Sequence, residues 1–414
     1  MSYNLQICAN ICDLNDDALA YIFQHLSLDD LDRLVAVCKR FYFVVNTYVY
    51  AMISAHLLRT GHRRLRNSTS LPSRDLHDFS YRKRICLHDN WRYGRYLEKQ
   101  MFYHGMIYFS QIILESKMLY MTHRGQLRAH KRIANRNDNV IIRKPSWTIG
   151  LFTSSDITWM VKKEDLIFTG RMDGSCSIYD RGNRISRFYQ LSNSPVTSVD
   201  FDGDLFVCTN KSESTTFWSG NRKLDLEKKL ELSDGYQTIK LCPNGKRQLA
   251  AGRYSDREKK ALKLIDVESG KTTTLNSSTR AVYHVLWKDS NTVLTGNFDT
   301  TFRVVDTRTS RDEAVWTDPY DASVYCLDYD GAHSVLCGMK YNFRVNSLDL
   351  RMPKRCIQMY FSSKMLSHYS PVYSLAADTS QLFIVTDHDL RILNFDADYA
   401  DKKDYTYDLV KWYY

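Results

Sequence analysis

The chain has 414 residues, which at roughly 150 residues per domain means two or three domains rather than one. An apolar fraction of 43% and a charged fraction of 25% suit a packed globular protein and exclude a disordered chain, a collagen or a coiled coil. The formal charge is +10, no apolar run approaches the roughly 18 residues of a membrane helix, and Met1–Asn10 lacks the basic and apolar stretches of a secretory signal. No membrane contact is expected, and the expected location is cytoplasmic, nuclear or both.

Aromatic side chains are abundant, with 28 Tyr, 18 Phe and 7 Trp, and this favours strands. The ten cysteines are scattered without a C-x-x-C pair, so they read as reduced thiols packed as small hydrophobes. HExxH, P-loop and GxSxG patterns are absent, so no catalytic residue, metal site or cofactor is expected.

The chain opens on helices. Leu19, Ile22, Phe23 and Leu26 fall on one helical face, and Asn15, Asp16 and Asp17 stand where a cap and the helix dipole favour them. Ser27, with Asp30 three residues on, reads as the next N-cap, before a helix with Leu31, Leu34, Val35 and Cys38 on one side. Val37, Phe41, Val44 and Val45 widen the apolar surface. A unit of about 45 residues cannot bury all of this alone, so part of it docks on a partner or on the rest of the chain.

Leu14-Asn15-Asp16-Asp17-Ala18-Leu19-Ala20-Tyr21-Ile22-Phe23-Gln24-His25-Leu26-Ser27-Leu28-Asp29-Asp30-Leu31 resembles the opening of an F-box, and Val37-Cys38-Lys39-Arg40-Phe41 resembles its later signature. The family usually has Pro after the opening Leu; here Asn15 follows Leu14, and Asn is itself a good cap. The resemblance covers residues 10–55. It implies docking on the Skp-type adaptor of SCF ubiquitin ligases, and through it on a cullin and a RING subunit. Leu14, Ile22, Phe23, Leu26, Leu31, Val37 and Cys38 are the residues it implies for that interface.

Residues 56–93 read as a basic linker, helical or irregular; a rigid and a flexible connection both fit its pattern. Residues 56–144 hold 19 Lys/Arg against 6 Asp/Glu, among them Arg59, Arg63, Arg64, Arg66, Arg82, Lys83, Arg84, Lys131, Arg132 and Arg136. Such a stretch fits a solvated connector, or contact with nucleic acid or an acidic partner.

From residue 94 a period of roughly 40 residues sets the fold. Second strands with their turns recur as Leu166–Gly170, Gln248–Gly252, Thr292–Gly296 and Val335–Gly338, with less regular copies at Phe206–Thr209 and Phe383–Thr386. Third strands end alike, at Tyr179-Asp180, Ile265-Asp266, Val305-Asp306 and Leu348-Asp349. These repeats resemble the WD-repeat family, with a degenerate Trp-Asp ending and almost no Gly-His opening. The resemblance implies an all-β propeller over residues 94–414, with repeats starting near 105, 155, 194, 236, 280, 322 and 371, hence seven blades. The last repeat shows three strands, so a strand from 94–103 is expected to close the ring. Residues 133–147 read as a polar, basic loop.

Turns between second and third strands line one rim of a propeller. The rim positions are Arg124, Arg171, Lys211, Arg253, Tyr254, Asn297, Phe298, Lys340 and His388. Their cations and aromatics predict an acidic or phosphorylated peptide as ligand. Taken together, the two resemblances imply the substrate receptor of an SCF-type ubiquitin ligase, which marks a protein for proteasomal degradation without catalysing a bond change itself. The basic segment supports an alternative, a non-SCF scaffold or RNA-associated propeller, which predicts steeply salt-dependent nucleic-acid binding.

Overall fold

The computed structural model describes residues 10–61, 74–103, 111–134, 139–211, 213–221, 223–243, 245–255, 259–353, 355–362 and 370–397. Cys8, Arg63, Arg64, Arg66 and Arg136 lie outside them.

A 3-10 turn, Ile11–Asp13, precedes α1 (Asp16–Phe23), α2 (Leu28–Val35) and α3 (Lys39–Val44), and α3 runs through a π turn, Val45–Val49, into α4 (Tyr50–Ser54). Asn15 caps α1, its side chain accepting from Ala18 N at 2.8 Å. Ser27 caps α2, accepting from Asp30 N at 3.2 Å. Leu19, Phe23, Leu31, Phe41, Val44, Val45 and Val49 form the core of this unit. Ile85 joins that core from α5 (Tyr81–Tyr93), which Ser80 caps and Gly94 ends in the left-handed conformation at φ 63.

Of the linker read at 56–93, residues 62–73 lie outside the described residues; the described part includes α5, which packs on both units. Its Ile85 belongs to the helical unit, whereas Leu87 and Trp91 belong to a propeller core with Tyr96, Tyr360 and Phe395. Trp91 stacks on Phe395 with centroids 3.7 Å apart and donates Nε1–H to Thr379 O at 2.9 Å. Tyr360 donates to Trp91 O at 2.8 Å, and Arg351 to His56 O at 3.0 Å. The connection is a packed helix that fixes the helical unit on the propeller.

Seven antiparallel sheets form the blades. Blade one covers 112–149, blade two 157–190, blade three 196–232, blade four 238–274, blade five 282–317 and blade six 324–361. Blade seven takes Ser374–Ala377, Gln381–Val385 and Asp389–Asn394, and its fourth strand is Leu97–Tyr103, pairing antiparallel with Asp389–Asn394. The ring is thus closed by an earlier stretch of the chain, which covers the outer edge of Asp389–Asn394. Residues 133–147 are not a plain loop. Asn139–Ile141 pairs with one end of Gln126–Ala134, and Trp147–Ile149 pairs with the other. Pro145, which has no N–H to give a ladder, falls between the two pieces.

The repeated glycine of the second strands has a packing cause. A β-carbon on Gly252 would lie 2.6 Å from Val282 Cβ, one on Gly296 2.8 Å from Val324 Cγ1, and one on Gly338 2.8 Å from Val372 Cγ1. Each valine opens the next blade and presses into the notch that the glycine leaves.

At the centre, Trp159 of blade two meets His284 of blade five with ring centroids 5.5 Å apart. His284 Nδ1 accepts from Leu327 N at 3.1 Å, tying blade five to blade six. Burial pulls this imidazole down to about 4. The unfolded chain therefore binds a proton near pH 6.5 that the fold refuses until about pH 4, so stability falls as pH drops through that window and levels below it. His284→Asn keeps an acceptor and cannot titrate. Urea unfolding at pH 7 and pH 4.5 is expected to show wild type losing on the order of 2 kcal/mol more than this variant. Parallel losses would contradict the assignment.

Candidate functional site

Two surfaces stand out, one on the helical unit and one at the mouth of the propeller. On the helical unit, the α1 stripe is split by its own geometry. Leu19 and Phe23, four residues apart, face inward; Ile22 and Leu26, also four apart, face solvent. Val37 is 63% exposed, and Ile11, Tyr21, Tyr42 and Phe43 are exposed with it. Arg40 draws the turn carrying Val37 and Cys38 onto the start of the unit, donating to Asp16 at 2.9 Å and to the carbonyls of Cys12 and Leu14. So much apolar surface on one small unit marks a contact site.

Among the residues the F-box resemblance implied, Ile22, Leu26 and Val37 are exposed and Leu14 is half-buried. Phe23 and Leu31 are corrections. At 1% and 0% exposure they are core residues, packed with Leu19, Phe41, Val44 and Val45 in the centre of the helical unit. Cys38 is exposed and caps α3, accepting from Phe41 N at 3.4 Å.

On the propeller, the nine rim positions do not behave alike. Arg171 is buried and donates to Gly125 O at 3.2 Å and Ser155 O at 2.8 Å, bracing blade two against blade one. Asn297 is fully buried, donating to Thr301 O at 3.1 Å inside its own turn. Neither is open to a ligand, because both end second strands that are buried on both faces inside their blades. Arg124 lies over Phe152 at 4.6 Å and His388 near Tyr103 at 6.1 Å, both on the blade one and seven side. Arg253 is half-buried, 3.7 Å from Asp234.

The remaining four converge. Lys211 Nζ stands 4.7 Å from the Tyr254 ring centroid, and Lys340 Nζ stands 6.0 Å from Phe298 and 5.1 Å from Tyr341. Rings continue from there. Tyr254 and Phe298 each lie within 6.4 Å of one another and of Tyr283; Tyr283 lies 4.7 Å from Tyr325, and Tyr325 6.2 Å from Tyr373. Tyr283 and Tyr325 are the extra residues of β-bulges, where the register slips between Val282 and His284 and between Val324 and Cys326. A bulge re-aims its side chain, here towards the channel mouth. Burial raises the pKa of the Tyr283, Tyr325 and Tyr373 phenols, which stay protonated. The rim reading missed these three tyrosines, although the repeated pairs Val282-Tyr283, Val324-Tyr325 and Val372-Tyr373 carried the signal.

The two surfaces sit at opposite ends of the ring. The helical unit, the residues that follow it and α5 engage Thr379, Ser334 and Arg351, in or next to first-to-second and third-to-fourth strand turns. The aromatic mouth uses second-to-third turns and first-strand starts, which strand alternation places at the other end.

The basic segment is not a basic surface throughout. Arg59 is buried against Asp328 at 3.3 Å, Arg84 donates to Thr60 O at 3.1 Å, and Arg132 is paired with Asp378 and lies over Phe383. Among the described residues, no group of three His, Cys, Asp or Glu is placed to hold a metal, and no helix is long and apolar enough to cross a membrane.

Comparison with known proteins agrees with this layout. The F-box domain family matches residues 11–49. The chain is 24% identical over 398 residues to the mouse F-box/WD repeat-containing protein 4, with 92% of each chain covered. It is 25% identical over 403 residues to the human protein of that name, again with 92% of each covered.

Proposed function

We propose that this F-box/WD-repeat protein is the substrate-recognition subunit of an SCF-type ubiquitin ligase. The exposed face around Ile22, Leu26 and Val37 docks on a Skp-type adaptor, which links it to a cullin and a RING subunit. The propeller holds the protein to be ubiquitinated and degraded, in the cytoplasm, the nucleus or both. The receptor forms and breaks no bond. Its contribution is proximity, turning the encounter of a substrate lysine with the charged carrier enzyme into an effectively intramolecular event.

One observation carries this reading: an apolar docking face is held on a packed helix, α5, at the end of the propeller opposite its aromatic mouth. A floppy tether would spread the substrate over many positions, whereas a packed helix keeps one geometry.

The test must use residues outside the core. Leu31→Asp would unfold the helical unit, since Leu31 is fully buried, and so says nothing about docking. Leu26→Asp with Val37→Asp leaves the core intact. Titration with the purified adaptor is expected to show tight binding by wild type and a loss of about 100-fold or more in the double variant, with an unchanged melting point. Equal binding by both would reject this face.

A further inference from the structure

We propose that the aromatic mouth spanning blades four to seven takes an unmodified acidic segment, a carboxylate side chain with an apolar residue beside it. The proposal rests on the receptor reading and names the class of substrate segment it would hold.

Charge decides against a cationic ligand. Lys211 and Lys340 already stand over Tyr254, Phe298 and Tyr341, so the chain's own ammonium groups cover the ring faces a ligand cation would use. They would also repel it, and they favour an anion.

Donor geometry decides against phosphate. Phosphate recognition draws on the two-pronged guanidinium fork. Arg171 has its guanidinium turned into the joint between blades one and two, and Arg253 lies beside Asp234. The described cations that stand against the mouth's rings are single-point ammonium groups, Lys211 and Lys340, which with a phenol hydroxyl match one carboxylate. Three carboxylates at the same end of the ring are engaged within the chain: Asp234 with Arg253, Asp299 with Arg303 at 2.6 Å, and Asp387 with Tyr373. The apolar neighbour has its place as well, since Phe298 is 40% exposed and the half-buried Tyr283 and Tyr325 present rings beside it.

The experiment pans a display library of random unmodified peptides, and in parallel a serine-phosphorylated library, on the full chain. Asp or Glu next to an aliphatic or aromatic residue is expected to be enriched from the unmodified library. A selected peptide should bind Lys211→Glu with Lys340→Glu about tenfold more weakly, and Tyr325→Ala several-fold more weakly. Melting points and adaptor binding should stay at wild-type values in both. Enrichment of Lys or Arg, enrichment from the phosphorylated library alone, no enrichment, or peptides indifferent to the lysine reversals would each overturn the proposal. Failure of the wild type to bind the adaptor would instead overturn the receptor reading and leave the peptide result standing.

Discussion

Deleting residues 90–104 is expected to abolish the cooperative thermal transition of the propeller and to send the chain into aggregates. The stretch contains Trp91, which is buried in a stack with Phe395 and hydrogen-bonded to Thr379 and Tyr360. Truncating that side chain alone costs about 3–5 kcal/mol by analogy with other buried aromatics. The deletion also removes Tyr96, whose hydroxyl donates to Phe361 O at 3.0 Å, and the strand Leu97–Tyr103. Asp389–Asn394 then becomes a bare edge with the buried Leu390, Ile392 and Leu393 beside it, a template for pairing with another chain. Against a total stability of about 5–15 kcal/mol for ordinary domains, these losses leave little. Thermal melting followed by circular dichroism reads the result, and a melting curve like that of wild type would contradict the closure. Trp91→Ala should melt well below wild type yet still cooperatively.

Breaking the Asp318–Arg344 pair is expected to have the next largest effect. Both side chains are buried, and the two guanidinium nitrogens of Arg344 donate to the carboxylate at 2.8 and 2.7 Å. Asn346 adds a bond at 2.9 Å, and the Ala322 and Tyr320 amides add theirs at 2.9 and 3.2 Å. Asp318→Ala leaves a buried guanidinium without its counter-ion and frees the turn leading to Tyr325. The expected loss is about 3–5 kcal/mol, read from the urea midpoint. Asp318→Leu with Arg344→Met removes both charges and should cost clearly less, because no charge is left stranded. A double variant as unstable as the single one would contradict that explanation.

Much of the architecture was legible because it rests on local rules. The seven blades follow from a period of strands and turns, and the closing strand follows from a last repeat that was one strand short. The N-caps Asn15 and Ser27 could be read from residue type and spacing. Contacts between residues far apart in the chain could not. The basic excess looked like a solvated or nucleic-acid-binding stretch because the partners of Arg59 and Arg132, Asp328 and Asp378, lie in blades six and seven. Phe23 and Leu31 looked like partner contacts because an apolar helix face does not say which half of it turns inward. At the rim, Arg171 and Asn297 were misread since a fixed offset from the turn does not show that second strands are buried to their ends. The mouth itself was missed for a related reason. Tyr283 and Tyr325 sit on bulges at the starts of first strands and Tyr373 just before one, while the reading followed the turns.

In the proposed function the chain joins an adaptor at one end of the propeller to a substrate at the other. Co-purification tests it most directly: the full chain is expressed with the adaptor, a cullin and a RING subunit, and the assembly is isolated through the RING. The account predicts that wild type is recovered in the assembly, that Leu26→Asp with Val37→Asp is lost from it, and that Lys211→Glu with Lys340→Glu is retained. A folded wild-type chain left out of the assembly would contradict it.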